Sequence, residues 1–291
     1  MNRKTFLQAL SVIPLSSLAM NIKEFGNTIK DQALTEKMPV LFVGHGNPMN
    51  AITDNIYSKT WKEIGQKLTP PKAVLVISAH WLTRGTAVTM TGKPETIHDF
   101  GGFSDELFRQ QYPAPGAPDY AKMAIESIHS TVVHEDFEWG LDHGAWSVLQ
   151  NMYPKANVPV FQMSIDYHQS PEYHFNLAKE LAVLRSRGVL IVASGNVVHN
   201  LRMVKWQGDK TPYDWAIEFD LLVKKSIEEN NPAPLINYQK LGQIGSLAHP
   251  TNDHYLPLMY ALGLREKTDN FEFFNDTFDM GSISMKSVIF S

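Results

Sequence analysis

Two short aliphatic runs stop on the same pattern. Val40-Leu41-Phe42-Val43 leads into Gly44-His45-Gly46, and Val74-Leu75-Val76-Ile77 leads into Ser78-Ala79-His80-Trp81. Runs this short, rich in β-branched residues and without apolar/polar alternation, suit strands covered on both faces. In open α/β sheets, ligands collect in the crevice outside the carboxyl ends of such strands. A histidine at that end of two strands therefore predicts a shared metal site.

From Met38 onward, apolar runs alternate with helical stretches. The other candidate strands are Thr86 to Met90, Thr131 to His134, Val158 to Ile165 and Val189 to Ala193, and the tail adds Phe271 to Phe274 and Ser284 to Phe290. Ser170-Pro171-Glu172 supplies an N-cap, a first-turn proline and an acidic first turn, and Gly188 closes the helix that follows. Further helices are expected over Tyr213 to Glu229 and from about Asp253 to Leu262, the latter with Gly263 as its stop. The expected fold is α/β, a single domain whose central sheet, mostly parallel or mixed, is flanked by helices and carries the metal site at its strand carboxyl ends. No internal repeat or low-complexity linker interrupts it.

Composition narrows the chemistry. With 26 basic and 30 acidic residues among 291, the chain has no cationic field for nucleic acid or an anionic membrane. Cysteine is absent, which removes thiolate zinc sites and a thiol nucleophile. A transition metal must be held by carboxylates and by some of the 11 histidines.

The amino-terminal segment reads differently. Arg3 and Lys4 precede Phe6-Leu7, an uncharged stretch runs from Ala9 to Met20, and Ser17 and Ala19 are small. That layout reads either as a twin-arginine-like export signal, which would place the protein in the periplasm or outside, or as an extension of a cytoplasmic protein. The stretch is too short for an ordinary membrane span, and no later segment is long and apolar enough. Residues 1–37 are accordingly set apart as an extension, and 38–291 as the catalytic domain.

The remaining histidines fall into two groups. His129, His134, His168 and His174 lie in polar surroundings and read as ordinary surface residues. His143, His199, His249 and His254 lie in turns beside Gly, Asn, Pro or Asp, in Leu141-Asp142-His143-Gly144, Ser194-Gly195-Asn196-Val197-Val198-His199-Asn200 and Ala248-His249-Pro250-Thr251-Asn252-Asp253-His254-Tyr255. Polar turns with small residues are where reactive groups are displayed. Neutral imidazoles, with or without one carboxylate, leave a divalent metal with open positions, which serves zinc hydrolysis or oxygen activation at non-haem Fe(II). Spacing alone does not choose between these chemistries.

The ordered motifs GHGNPM around His45, SAHW around His80, TIHDFGGF from Thr96 to Phe103, YPAPG from Tyr112 to Gly116, GLDHGAW from Gly140 to Trp146, SGNVVHNL around His199 and AHPTNDHYLPL from Ala248 to Leu258 resemble the DOPA-dioxygenase-type branch of the class III extradiol ring-cleavage dioxygenases. The protocatechuate 4,5-dioxygenase catalytic subunit belongs to the same superfamily. The resemblance runs from about Pro39 to the carboxyl terminus. It implies a single-domain α/β fold with one metal at the top of the sheet, and cleavage of a catechol ring next to its hydroxyl pair by O2. Fe(II) is implied for activity, with Zn(II) a redox-inert occupant of isolated protein.

Carried across residue by residue, the resemblance makes His45 and His80 metal ligands. The third ligand falls in AHPTNDHYLPL: His254 is the first choice, with Asp253 and His249 as alternatives. His199 becomes the acid/base group or an additional ligand, and His143 stands beside the substrate hydroxyl or the bound oxygen. The Gly- and Pro-rich motifs read equally as rigid turns and as a loop over the substrate, with Trp81, Phe100 and Phe103 packing against its ring. Arg202 is a candidate for a substrate carboxylate or an exposed ion pair, and Asn47 and Pro48 shape the turn that presents His45. Two other functions could use the same residues: a zinc-dependent hydrolase, and a non-enzymatic binding protein on the same fold.

Overall fold

A computed structural model describes residues 34–291. The signal-like segment from Met1 to Met20 lies outside the described residues. Six strands form the central sheet: β1 (Val40–Gly44), β2 (Ala73–Ser78), β3 (Val160–Gln162), β4 (Val189–Gly195), β5 (Phe271–Phe274) and β6 (Ser287–Phe290), in the spatial order β3-β2-β4-β1-β6-β5. β3, β2, β4 and β1 run parallel, and β6 is antiparallel to both β1 and β5. The sheet is therefore mixed, with a parallel half that carries both histidine-terminated strands.

Every residue of β1, β2 and β4 is buried, which explains their unbroken apolar runs. Alternate side chains still divide between two cores. Val40, Phe42, Leu75 and Ile77 pack with helices α3 (Pro171–Glu180), α4 (Asp214–Glu228) and α5 (Leu256–Leu264). Leu41, Val43, Val74 and Val76 pack on the other face with α1 (Ile56–Lys67) and α2 (His143–Met152), where Trp61 and Trp146 are fully buried.

Helix ends follow local chemistry. Ser170 accepts from the Tyr173 amide at 3.3 Å, Pro171 opens α3, and a 3-10 stretch carries the chain on to Gly188 at φ 82°. Asp142 accepts from the Ala145 amide at 3.2 Å, from Ser78 Oγ at 2.6 Å and from Gln162 Nε2 at 2.8 Å, tying the start of α2 to the ends of β2 and β3.

Four expectations are corrected. The run Val158 to Ile165 splits, because after Gln162 the chain leaves the main sheet: Met163 bridges Val88, and Ile165 pairs with Leu82 in a separate two-stranded piece. The tail run Ser284 to Phe290 also divides, with Ile283–Ser284 pairing with Phe278–Asp279 before β6 begins. The helix expected from Asp253 with Gly263 as its stop spans Leu256–Leu264 instead, leaving Asp253 and His254 in the preceding turn. Gly263 lies inside it, since a Cβ there would stand 2.2 Å from the Phe175 carbonyl oxygen of α3. His174 is no surface residue: it is fully buried, with Nδ1 2.9 Å from Tyr260 Oη. An apolar helix buried all round, α5, covers it.

A buried charge clamps the end of the sheet opposite the histidines. Arg185 is fully buried and grips Asp269 with two donors, at 2.7 and 3.1 Å, while Nε donates to the Met38 carbonyl at 2.8 Å and Nη1 to that of Leu264 at 3.0 Å. One side chain thus ties the entry of β1 to the exit of α5. Asp269→Asn removes the carboxylate gripped by both donors, leaving only Glu266 at 4.0 Å, and is expected to cost about 3–5 kcal/mol in urea unfolding. A pH effect should follow from His174, whose burial pushes its pKa down to about 4. Its stabilising contribution is complete above the unfolded value of about 6.5 and is lost as pH falls toward the folded value. The urea midpoint of metal-free protein should therefore drop between about pH 7 and about pH 5, and drop less in His174→Gln.

Candidate metal centre

Register brings the histidines together. Gly44 of β1 pairs with Gly195 of β4, and Ser78 of β2 pairs with Ser194, so three parallel strands end level. The next residues bond across the same ends, the His45 amide to the Gly195 carbonyl at 3.1 Å and the Ala79 amide to the Ser194 carbonyl at 3.0 Å. His45 and His80 consequently meet above β4 with Nε2 atoms 3.1 Å apart. Asn47 caps the turn after His45 by accepting from the Met49 amide, and Asn50 Nδ2 donates to the His45 carbonyl at 3.1 Å.

His143 and His254 complete the group. The His143 ring centroid lies 3.9 Å from that of His80 and 5.4 Å from that of His45. That of His254 lies 4.9 and 5.2 Å from the same two rings. One nitrogen each from His45, His80 and His143 falls within 4.8 Å of the others. His199 lies flat on His254, centroids 3.6 Å apart and planes 7° apart, and is partly exposed. Gly195 admits the His254 turn over the strand end, because a Cβ there would stand 2.3 Å from the His254 carbonyl oxygen.

Hydrogen bonding sets which nitrogens are free. Ser194 Oγ donates its one proton to the Gly144 carbonyl at 2.6 Å, so it must accept from His45 Nδ1 at 3.0 Å. Neutral His45 therefore turns an Nε2 lone pair toward His80. Burial pushes the His45 pKa well below its ordinary value, and the neighbouring imidazoles push it further. His254 is also lowered by burial, against the pull of Asp253, whose Oδ2 stands 3.4 Å from its Nδ1. On His80, burial opposes a rise, but its contact with Asp99 prevails and the pKa goes up. Such converging nitrogen donors fit a divalent transition metal.

Asp99 and Ser194 belong to this site and were not singled out in the sequence. Asp99 stands between two rings, Oδ2 at 3.0 Å from His80 Nδ1 and Oδ1 at 3.0 Å from His143 Nδ1. The one signal for it was an acidic residue inside the Gly-rich motif Thr96 to Phe103. Burial raises its carboxyl, yet the two imidazoles hold it far below the usual carboxylate range.

The other candidates stand apart from the cluster or are otherwise occupied. His249 Nε2 lies 2.7 Å from the Val197 carbonyl oxygen, and its ring packs among Phe219, Tyr238 and Tyr255. Asp253 Oδ1 accepts from Thr251 Oγ1 at 2.9 Å while Oδ2 faces His254. Trp81 is buried and stacks on Trp139 with planes 4° apart. Phe100 meets His143 edge-on at 5.5 Å and Phe103 at 5.4 Å. Arg202 is exposed.

A family model described as the catalytic LigB subunit of aromatic ring-opening dioxygenase matches residues 21–291. The chain belongs to this family. It is 46% identical over 265 residues to the 4,5-DOPA dioxygenase extradiol of Escherichia coli, covering 89% of this chain and 97% of that one. The protein of the same name from Beta vulgaris is 35% identical, covering 86% of this chain and 95% of its own. A crystal structure of an uncharacterized E. coli protein superposes with a TM-score of 0.77 at 43% identity, covering 88% of this chain and all of that one. The protein is thus a metal-dependent extradiol ring-cleaving dioxygenase acting on a catechol and O2. Among the described residues, no helix is long and apolar enough to cross a membrane.

Gly195→Ala should displace the His254 turn and leave the strands intact. The expected result is unchanged far-UV circular dichroism with metal content and turnover both reduced, read by elemental analysis and oxygen uptake.

Proposed function

We propose that the metal is Fe(II), held by His45, His80 and His254, and that the substrate is DOPA or a closely similar catechol. The reading is carried by one observation: His45 and His80 face each other through Nε2 atoms 3.1 Å apart, with His254 packed against both. His254 is preferred to its neighbours because its ring packs against those of His45 and His80, whereas Asp253 Oδ1 accepts from Thr251 and His249 turns its Nε2 to the Val197 carbonyl. His143 forms the tightest three-nitrogen group with the pair, but it also stands against Asp99, which suits an imidazole that becomes positively charged in turnover. The choice of DOPA follows the names of the E. coli and Beta vulgaris relatives.

Bound Fe(II) would supply a seat for both catechol oxygens, a lowered phenolic pKa and a path for electrons from ring to O2. The protein's own groups then handle protons and position. His199 has its pKa pushed well below the ordinary value, first by burial and then by the charge of His254, so it is neutral near pH 7 and able to accept a phenolic proton. Its partial exposure gives that proton a way out. His143 turns a bare Nε2 toward the reacting oxygen atoms; once that nitrogen has taken up a proton during turnover, it can donate a hydrogen bond that stabilises developing negative charge. Phe100, edge-on to His143, gives the substrate ring an apolar wall.

The test is anaerobic reconstitution with Fe(II), followed by oxygen uptake and the appearance of a yellow ring-opened product from DOPA, caffeate, protocatechuate and catechol. Fe(II)-loaded protein should turn over DOPA fastest and zinc-loaded protein should be inert. Hydrolytic activity with zinc, or no uptake with any catechol, would reject the iron assignment. His254→Ala should lose metal and His199→Ala should keep it while kcat falls by roughly 10²–10⁴. Retention of metal in His254→Ala with loss in His143→Ala would exchange their roles.

A further inference from the structure

A carboxylate has acceptors and no donors, and Asp99 turns one oxygen to each of two imidazoles from different elements. His80 follows the end of β2, and His143 opens α2. Oδ2 stands 3.0 Å from His80 Nδ1, while Oδ1 stands 3.0 Å from His143 Nδ1 and accepts the His143 amide at 2.9 Å. At 3.0 Å the negative charge of the carboxylate favours a proton over a lone pair on each Nδ1. The neutral rings then have bare Nε2 atoms.

We propose that Asp99 is a positioning residue that fixes the Nδ1–H tautomer of His80 and His143 together, aiming both Nε2 lone pairs into the metal centre. The proposal rests on His80 being a metal ligand, as assigned above. It makes one side chain responsible for a ligand and for the imidazole beside the substrate, which no other described residue touching the cluster does. Ser194 performs the corresponding service for His45 alone.

The backbone that carries Asp99 is held for this purpose. Ile97 N–H donates to the Leu141 carbonyl at 2.7 Å, the Leu141 amide donates to the Glu95 carbonyl at 2.7 Å, and Trp146 Nε1 donates to the Ile97 carbonyl at 2.9 Å. His98 Nε2 lies 3.0 Å from the Gln110 carbonyl oxygen on the other side. The motif Thr96 to Phe103 is thus pinned against the start of α2, two residues from the carboxylate. Gly102, at φ 77°, permits the turn, and the aspartate orients the rings.

An amide in place of the carboxylate separates this role from simple packing. Asn fills the same space but offers one acceptor and one donor side, and the donor side can only meet an Nδ1 lone pair. One of the two rings must then take the Nε2–H form, with a proton pointing into the metal centre. Asp99→Asn is therefore expected to keep its unfolding temperature near that of the parent while its Zn(II) affinity, measured by chelator competition, weakens by roughly 10–100-fold. Long-range 1H–15N spectra of the metal-free protein should show Nδ1–H for both rings in the parent, and Nε2–H for at least one in the variant.

A neutral ring carrying its proton on Nε2 instead of Nδ1, on His80 or His143 of the metal-free parent protein, overturns the proposal without need of any variant. So does a folded Asp99→Asn protein with parental zinc affinity and tautomers. His80→Ala separates the two levels of the argument. If that variant retains metal, the ligand assignment fails; if it loses metal while Asp99→Asn behaves as the parent, the ligand stands and the lock fails.

Discussion

Three imidazoles at the top of the sheet turn Nδ1 toward a protein oxygen, and the site depends on this. His45 has Ser194, and His80 and His143 share Asp99. Burial of these rings disfavours their charged forms, and only on His80 does the contact with Asp99 outweigh it. Neutral rings with occupied Nδ1 atoms have one coordinating atom left, and it points inward. A buried cluster of lone pairs gains most from a cation, because the low-polarity surroundings strengthen the attraction between them.

That arrangement is built on strand ends rather than on loops alone. β4 lies between β1 and β2 in parallel register, so the bases of His45 and His80 are set by backbone hydrogen bonds of the sheet itself. Asp142 braces the same corner by accepting from Ser78, from Gln162 and from the first turn of α2, which fixes where His143 begins. The more adaptable groups come from outside: Asp99 on a Gly-rich segment and His254 on the turn before α5. Reactive sites commonly combine a rigid base with side chains from loops in this way. The opposite end of the sheet is held independently by Arg185 and Asp269, so the charged clamp and the metal centre do not share residues.

The parallel core was legible because its physics is local. Short continuous apolar runs such as Val40 to Val43, rich in β-branched residues, suit strands covered on both faces, and the histidines that follow such strands emerge at the ligand-bearing end. Helix entry at Ser170-Pro171 and helix exit at Gly188 were legible for the same reason, since caps act within one turn. Gly263 misled because its use is not local. It resembles a helix stop, but it is there so that α5 can touch the Phe175 carbonyl of α3. His174 misled likewise: its neighbours in the chain are polar, and its burial comes from Tyr260 far along the sequence.

The sequence by itself determined the family, the α/β class, and the two histidines that a pair of strands must deliver to one end of a sheet. Those properties depend on residue type, order and short-range periodicity. Only the tertiary structure decided that Asp99 stands between His80 and His143, that His249 gives its Nε2 to a backbone carbonyl, and that Trp81 is buried against Trp139. Proton placement on an imidazole depends on which oxygen lies about 3 Å from each nitrogen. Such oxygens come from residues distant in the chain, and no spacing within one segment encodes them.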